Sequence, residues 1–294
     1  MNERAAWVAL SAVSGLGPSR FRKLIEVYGS PTSALKAGPE ALAEVLALPS
    51  SACAEIGRAA ERLEEIEREL ASLDEEGVQA LTWQDEAYPA RLLATASPPP
   101  VLWWKSARCS TQPEAAAAIV GSREVSEQAL AEAYRIGQML AEAGVSVVSG
   151  MAAGVDAAAH EGALATRGPT VGVCGCGIVT ALTRGREGLA GRMAERGAVC
   201  SELAPTAPLS PKMLFARNRI IAGLADAVVV VEARAEGGAV HTANCAREEG
   251  RPVLVVDWPG PDAAGGNRSL VRGGAIPVEP GADPVAAFAE AIEG

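Results

Sequence analysis

From residue 115 onward, short apolar runs alternate with amphipathic segments, and this alternation predicts βαβ units that build a parallel sheet. The expected strands are Ala115–Val120, Val145–Ser149, Thr170–Cys174, Ala198–Ser201, Ala227–Glu232 and Val253–Asp257. Helices are expected near 126–143, 154–166, 186–196, 214–224 and 239–249, with a last one over Pro284–Ile292. Several strands are apolar throughout, as a sheet covered on both faces requires. Before residue 77 the pattern is purely helical. Val8, Leu10 and Val13, then Phe21, Leu24, Ile25 and Tyr28, then Leu42, Val45 and Leu46 recur at helical spacing, cut by Gly29-Ser30-Pro31 and Gly38-Pro39. Residues 55–76 read as one strongly charged helix with Leu63, Ile66 and Leu70 on its apolar side. Val78–Trp83 reads as a strand, and Tyr88-Pro89 with Ser97-Pro98-Pro99-Pro100 as a rigid lead into Val101–Trp104. The expected organisation is a small helical domain over 1–76, a strand-containing linker over 77–114, and an extended Rossmann-like α/β domain over 115–294.

A length of 294 residues fits two domains, and 49% hydrophobic residues suffice for real cores. The formal charge of −10 excludes a protein that coats nucleic acid through overall positive charge, so any anion binding must be local. One stretch runs against the acidic background: Arg184 to Arg219 holds seven basic residues, Lys212 among them, and three acidic ones. The six cysteines are scattered, Cys174-x-Cys176 has no second pair, and His160 and His241 are the two histidines, so the thiols read as reduced and no zinc site is expected. No signal-like apolar stretch follows Met1 and no run approaches a membrane span, which makes the cytoplasm the expected compartment.

In an open parallel sheet, ligands sit outside the carboxyl ends of the strands. Gly-rich clusters fall there three times: Gly121-Ser122-Arg123 after the first strand, Gly150-Met151-Ala152-Ala153-Gly154 after the second, and Gly175-Cys176-Gly177 after the third. Glycine admits close approach of a ligand, a following helix N-terminus offers free N–H donors, and Arg123 offers a bidentate phosphate grip. One such cluster is also an ordinary strand-to-helix turn; three on one edge point to phosphate. Gly175-Cys176-Gly177 lacks the third glycine of a dinucleotide fingerprint and follows the wrong strand, which argues against a hydride-transfer cofactor. Arg217-Asn218-Arg219 gathers charge at the opening of an apolar helix, and Phe215 beside it offers a face for an unpaired base, although such a Phe equally fits a core. Asp156 and His160, spaced i, i+4, serve either as an acid–base pair or simply as helix bracing. Ser14-Gly15-Leu16-Gly17-Pro18 fits either the hairpin of a helix-hairpin-helix module or a tight connection needing glycine. No Ser-His-Asp or Cys-His constellation is visible.

These residues together resemble the DprA (Smf) family of DNA-processing proteins. The resemblance rests on Ala118–Arg123, Val148–His160 and Arg217–Leu224 in the right order, with Val231-Glu232-Ala233, Thr242-Ala243, Gly266-Asn267-Arg268, Tyr88–Leu92 and Pro99–Leu102 as further matches. It implies a SAM-like helical first domain, a Rossmann-like second domain, a homodimer, single-stranded DNA held in a basic pocket, and transfer of that DNA to the RecA recombinase in natural transformation, without catalysis or cofactor. The pocket residues expected are Gly121, Ser122, Arg123, Gly150, Met151, Ala152, Gly175, Gly177, Lys212, Phe215, Arg217, Asn218, Arg219 and Asn267. Ala153 and Leu214-Phe215 depart from the family pattern, as does the stretch 182–186. Two alternatives stay open: a nucleotide phosphoribohydrolase-like enzyme on a related fold, for which Glu232 and the Glu236–Thr242 run are the segments to inspect, and an interaction scaffold without DNA binding. For the DNA-binding reading, Arg123→Ala or Arg217→Ala is expected to weaken binding and leave the fold intact.

Overall fold

The computed structural model describes residues 2–49, 51–106, 110–184, 188–259 and 265–294. They form two compact units, one of residues 1–88 with 97–105 and the other of 89–96 with 106–294. The segments expected to form a linker thus divide between the units, and Cys109, Arg186 and Glu187 lie outside the described residues, as does the side chain of Arg184.

The first unit contains helices α1 (Glu3–Ser11), α2 (Pro18–Tyr28), α3 (Pro31–Ala37), α4 (Pro39–Val45), α5 (Ser51–Glu61) and α6 (Leu63–Glu75), and strands β1 (Gln79–Thr82) and β2 (Val101–Ser106), which pair antiparallel. Side chains cap two of the helices: the Asn2 carbonyl oxygen accepts from the Arg4 and Ala5 amides, and Ser30 Oγ accepts from Ser33 N, with Pro31 at the first helical position. The charged segment expected as one helix is two. Arg62 leaves the helical well at φ −91°, ψ 4°, and the break lets Ile56, Leu63 and Ile66 all reach the core. Trp7 stacks on Phe21 with centroids 4.7 Å apart, and Trp83 meets both rings edge-on. Trp83 Nε1 and Tyr88 OH both donate to the Pro99 carbonyl at 2.8 Å, which fixes the proline lead against β1. At the 14–18 turn, Ser14 N donates to a Glu55 carboxylate oxygen at 2.7 Å and the Gly15 carbonyl accepts from Arg20 at 2.8 Å, so one donor and one acceptor of the turn are engaged within the protein.

The second unit opens with helix α7 (Ala90–Leu93) and continues through β3 (Ala116–Val120), α8 (Glu127–Glu142), β4 (Ser146–Ser149), α9 (Val155–Ala165), β5 (Thr170–Val173), α10 (Ile178–Arg184), α11 (Leu189–Arg196) and β6 (Ala198–Ser201). Then follow α12 (Pro211–Ala216), α13 (Asn218–Leu224), β7 (Ala227–Val230), α14 (Gly238–Glu248), β8 (Val253–Val256), α15 (Gly265–Arg272), β9 (Ile276–Val278) and α16 (Pro284–Glu293). Its seven strands are parallel in the order β6-β5-β4-β3-β7-β8-β9. The Rossmann-like α/β reading is therefore correct. The short strand β9 and helices α10 and α15 were not foreseen, and the helix expected over 214–224 is two, because Ser210 Oγ caps an earlier start at Pro211 and the chain turns at Arg217. Strands β3 to β8 are buried along their whole length, as two covering layers require. The chain starts the sheet at its centre with β3, builds outward to β6, then returns to add β7 on the other side of β3. Connections therefore diverge between β3 and β7, which makes their carboxyl ends the topological switch point.

Two features of the covering layer are absent from the hydrophobic pattern. Helices α8 and α9 approach so closely that a Cβ at Gly137 would overlap the Ala159 carbonyl and one at Gly162 the Tyr134 carbonyl. Glycine costs each helix about 1 kcal/mol in propensity, and the close contact offsets it. Beneath α9, His160 is fully buried: Thr170 Oγ1 donates to the Val147 carbonyl at 2.9 Å and accepts from His160 Nδ1 at 2.8 Å, which puts the imidazole proton on Nδ1. Nε2 is buried with no hydrogen-bond partner. Burial pushes the His160 pKa down from 6.5 to about 3, and the field of Arg217 adds to the shift.

Two stability predictions follow from this packing. Gly137→Ala is expected to lower the unfolding free energy by about 1–3 kcal/mol through overpacking, despite the better helix former, as read from urea midpoints. An unchanged or raised midpoint would show that the helices do not need the bare backbone. For His160 the folded pKa lies below the unfolded one, so the stability of the neutral ring is complete above pH 6.5 and drains as pH falls toward 3. His160→Asn, which keeps a donor near Nδ1, is expected to lose about 2 kcal/mol less than wild type between pH 7 and 5. Equal losses in the two proteins would refute the assignment.

Candidate nucleic-acid interface

A cavity of about 460 Å³ opens at the β3/β7 switch point. The β3 end contributes Gly121, Ser122, Arg123 and Glu124, the turn before α9 contributes Ala152, and Asp156 lies at the floor. Phe215, Arg217 and Asn218 come from α12 and the start of α13, and Arg234 with Glu236 through Ala239 from the β7 end and the opening of α14. The sheet returns to add β7 beside β3, so two loops far apart in sequence face each other. The backbone joins them: Ser122 N donates to the Glu232 carbonyl at 2.8 Å, and Ser122 Oγ accepts from Arg234 N at 3.2 Å.

The floor is polar and buried. Arg217 is 5% exposed, and its guanidinium covers the face of Gly150, where any Cβ would collide with it. It donates to the Val173 carbonyl at 3.1 Å, while its Nε is buried without a partner. Burial lowers the Arg217 pKa, opposed by nearby Asp156. Burial likewise raises the Asp156 carboxyl, against the pull of Arg217 and of the Ala152 and Gly121 amides. Each ion therefore sits within the other's field, and Arg217→Ala would strand a buried carboxylate. The expectation that this substitution leaves the fold intact does not suit the position. His160 bonds Thr170 rather than Asp156, so the two form no acid–base pair.

The rim is different. Arg123 is exposed and, among the described residues, has no ion-pair partner. Arg234 pairs with Glu124 at 2.6 Å, with both side chains mostly in solvent. Phe215 is 50% exposed and stacks on His241 of α14, centroids 4.5 Å apart and planes 22° from parallel. Asn218 Nδ2 donates to the Gly238 carbonyl at 3.1 Å and so ties α13 to α14.

Of the residues expected in the pocket, Gly121, Ser122, Arg123, Ala152, Phe215, Arg217 and Asn218 line this cavity. The others serve different ends. Gly150 makes room for Arg217. Met151, at φ 60°, turns its sulfur onto Gly172 and lies 4.0 Å from Cys174 Sγ. Gly175 packs on Leu214, and Gly177 against the Ala204 and Pro205 carbonyls. Arg219 pairs with Glu202 and Arg192 with Glu161, so part of the basic excess in that stretch is neutralised within the fold. Lys212 is exposed on α12 outside the cavity lining. Asn267, 2% exposed, accepts from Ala233 N and donates to the Val231 and Val256 carbonyls, each at 2.8 Å, clamping the ends of β7 and β8. Missed in the sequence were Glu124 and Arg234, and the Gly237-Gly238 opening of α14 was inspected only for the enzymatic alternative and not expected in the DNA pocket. That last pair follows a strand and opens a helix, the same signal that marked the other Gly-rich turns.

Among the described residues no group of His, Cys, Asp and Glu is placed to hold a metal ion, and no helix is long and apolar enough to cross a membrane.

The sequence profile of the family DNA recombination-mediator protein A matches residues 79–289. Protein Smf of Synechocystis sp. is 34% identical over 278 residues, which cover 93% of this chain and 70% of that protein. A putative DNA processing protein DprA of Mycobacterium tuberculosis is also 34% identical, covering 92% of this chain and 71% of its own length. Among solved structures, DNA processing protein A from Streptococcus pneumoniae superposes with a TM-score of 0.77 at 28% identity, over 97% of this chain and 98% of that one. DNA processing protein A from Helicobacter pylori, described for its single-stranded DNA binding mode, shares the fold with a TM-score of 0.63 at 22% identity, over 74% of this chain and 96% of its own. The chain belongs to the DNA recombination-mediator protein A family, that of the DprA and Smf DNA-processing proteins.

Proposed function

We propose that this protein binds single-stranded DNA at the β3/β7 cavity without catalysing a reaction on it, and passes the strand to the RecA recombinase in recombination and natural transformation. It acts as a homodimer in the cytoplasm. The observation that carries the reading is the pairing at one rim of Arg123, an exposed cation without an ion-pair partner among the described residues, with Phe215, a half-exposed aromatic face. A guanidinium for phosphate and a ring for a base are the two elements that sequence-tolerant single-strand binding needs. Stacking on His241 holds the Phe215 ring in place before a base arrives. Membership of a DNA-processing family and the single-stranded DNA bound by the Helicobacter pylori protein support the same reading. The enzymatic alternative loses ground on Glu232: its carboxylate accepts from Ser126 Oγ at 2.8 Å and does not line the cavity.

A gel-shift series on a dT oligomer across salt concentrations tests this. Arg123→Ala is expected to weaken binding at least about tenfold, or roughly 1.4 kcal/mol, and to flatten the plot of log affinity against log salt by about 0.7–1. Phe215→Ala is expected to cost about 1–3 kcal/mol with the salt slope unchanged. Unchanged affinity in both variants would remove the site from this cavity. No ribose 5-phosphate is expected from AMP incubated with the protein, and its release would revive the enzymatic alternative.

A further inference from the structure

The cavity is lined by three glycines, and the protein's own need for them differs. Gly121 is required by packing, since a Cβ there would strike Val155 and the Glu232 carbonyl. At Gly238 the nearest obstacle to a Cβ is Asn218 Nδ2 at 3.5 Å, and at Gly237 the Arg234 carbonyl at 3.8 Å, both ordinary contact distances. Neither has a left-handed backbone; Gly237 is extended at φ −163°. The fold could hold a side chain at both positions. What their bareness provides is an uncovered backbone at the opening of α14, an eleven-residue helix with no side-chain cap. Its first N–H groups carry the partial positive charge of the helix dipole. The turn is held still from behind, because Asn218 Nδ2 and Thr242 Oγ1 both donate to the Gly238 carbonyl, at 3.1 and 3.0 Å. Arg217, 5% exposed, also lines this cavity, and its buried Nε–H has no acceptor among the described residues.

We propose that the opening turn of α14, Gly237 to Ala239, is an anion subsite that holds a nucleotide phosphate by backbone N–H groups, with Arg217 as fixed counter-charge beneath and Arg123 closing over it from the rim. The proposal refines the single-stranded DNA reading by naming where a phosphate rests. The phosphate is either an internal diester of the strand or a terminal monoester. Because the Cα–Cβ bond of a helical residue tilts toward the helix N-terminus, a methyl at 238 projects toward the seat of the anion, and one at 237 adds bulk to the turn that leads into it.

The test is a G237A/G238A double variant of the full chain. Its thermal midpoint is expected to be unchanged or raised, since replacing glycine where the backbone permits alanine restricts the unfolded chain. Its affinity for a dT oligomer is expected to fall at least about fivefold, so that stability and binding move in opposite senses. Oligomers with and without a 5′-phosphate separate the sources: a loss confined to the phosphorylated strand assigns the monoester, an equal loss in both the diester. In parallel, ¹⁵N-labelled wild type titrated with thymidine 5′-monophosphate should show saturating shifts of the 237–239 amides, and thymidine should not. If wild type binds the oligomer and the variant binds it as tightly, the subsite is wrong while the DNA reading stands. Amide shifts without oligomer binding would keep the subsite and overturn the DNA reading, and absence of both would overturn the two together.

Discussion

Burying a guanidinium costs several kcal/mol unless hydrogen bonds and an opposite charge replace its water. Arg217 obtains these from the Val173 carbonyl and the field of Asp156, and it fits at all because Gly150 leaves the space that a Cβ would fill. Much of the site follows from that placement. The helix expected over 214–224 turns at Arg217 to send the side chain inward, and the turn starts α13 where Asn218 reaches α14. Asp156, with a pKa raised by burial, is held by the Ala152 and Gly121 amides. His160, one turn further along α9, is kept neutral by burial and by the same guanidinium.

The glycines divide by what fills the space their missing Cβ leaves. At Gly121, Gly150, Gly175 and Gly177 protein atoms fill it, and at Gly137 and Gly162 a facing helix does. These positions are internal packing, and their spacing along the chain carries no information about a ligand. At Gly237 and Gly238 a Cβ would meet only ordinary contacts, with the Arg234 carbonyl and Asn218 Nδ2, among the described residues. Glycine is an ordinary choice at the N-cap position 237, but Gly238 stands inside the first turn of α14 and relieves no clash, which is the position the proposed anion subsite accounts for.

The sheet was legible in the sequence because strands buried on both faces must be apolar throughout, so Ala116–Val120 and Val253–Val256 announce themselves. Strand β9 was not: three residues long, with Ile276 and Pro277 exposed at the edge, it carries no such signal. In the site, the rim was legible through Arg123 and Phe215, whose chemistry is local. Asn267 was misplaced, because an amide that satisfies three backbone groups across two strand ends looks in sequence like one poised for a ligand. The basic run to Arg219 overstated the positive surface, since Glu161 and Glu202 reach two of its arginines only once the fold forms. Side-chain pairing across a parallel sheet depends on strand order, and strand order is what a one-dimensional pattern lacks.

Strand order also bears on how a chain of net charge −10 would hold the proposed anion site. The lining carries as many carboxylates as guanidiniums, Glu124, Asp156 and Glu236 beside Arg123, Arg217 and Arg234, so side-chain charge alone leaves it near neutral. The balance is tipped by geometry. Glu124 is engaged with Arg234, and Asp156 is buried among amide donors. Arg123 and the uncapped start of α14 then face the opening, with Glu236 as the one exposed lining carboxylate that no ion pair engages among the described residues. Backbone dipoles add no net charge and therefore survive in an acidic chain, and a switch point is the place in a parallel sheet where a helix N-terminus and the loop of the neighbouring strand converge on one space. A uniformly basic surface would attract any polyanion through long-range field, whereas donors fixed within one cavity act only on a phosphate that has entered it.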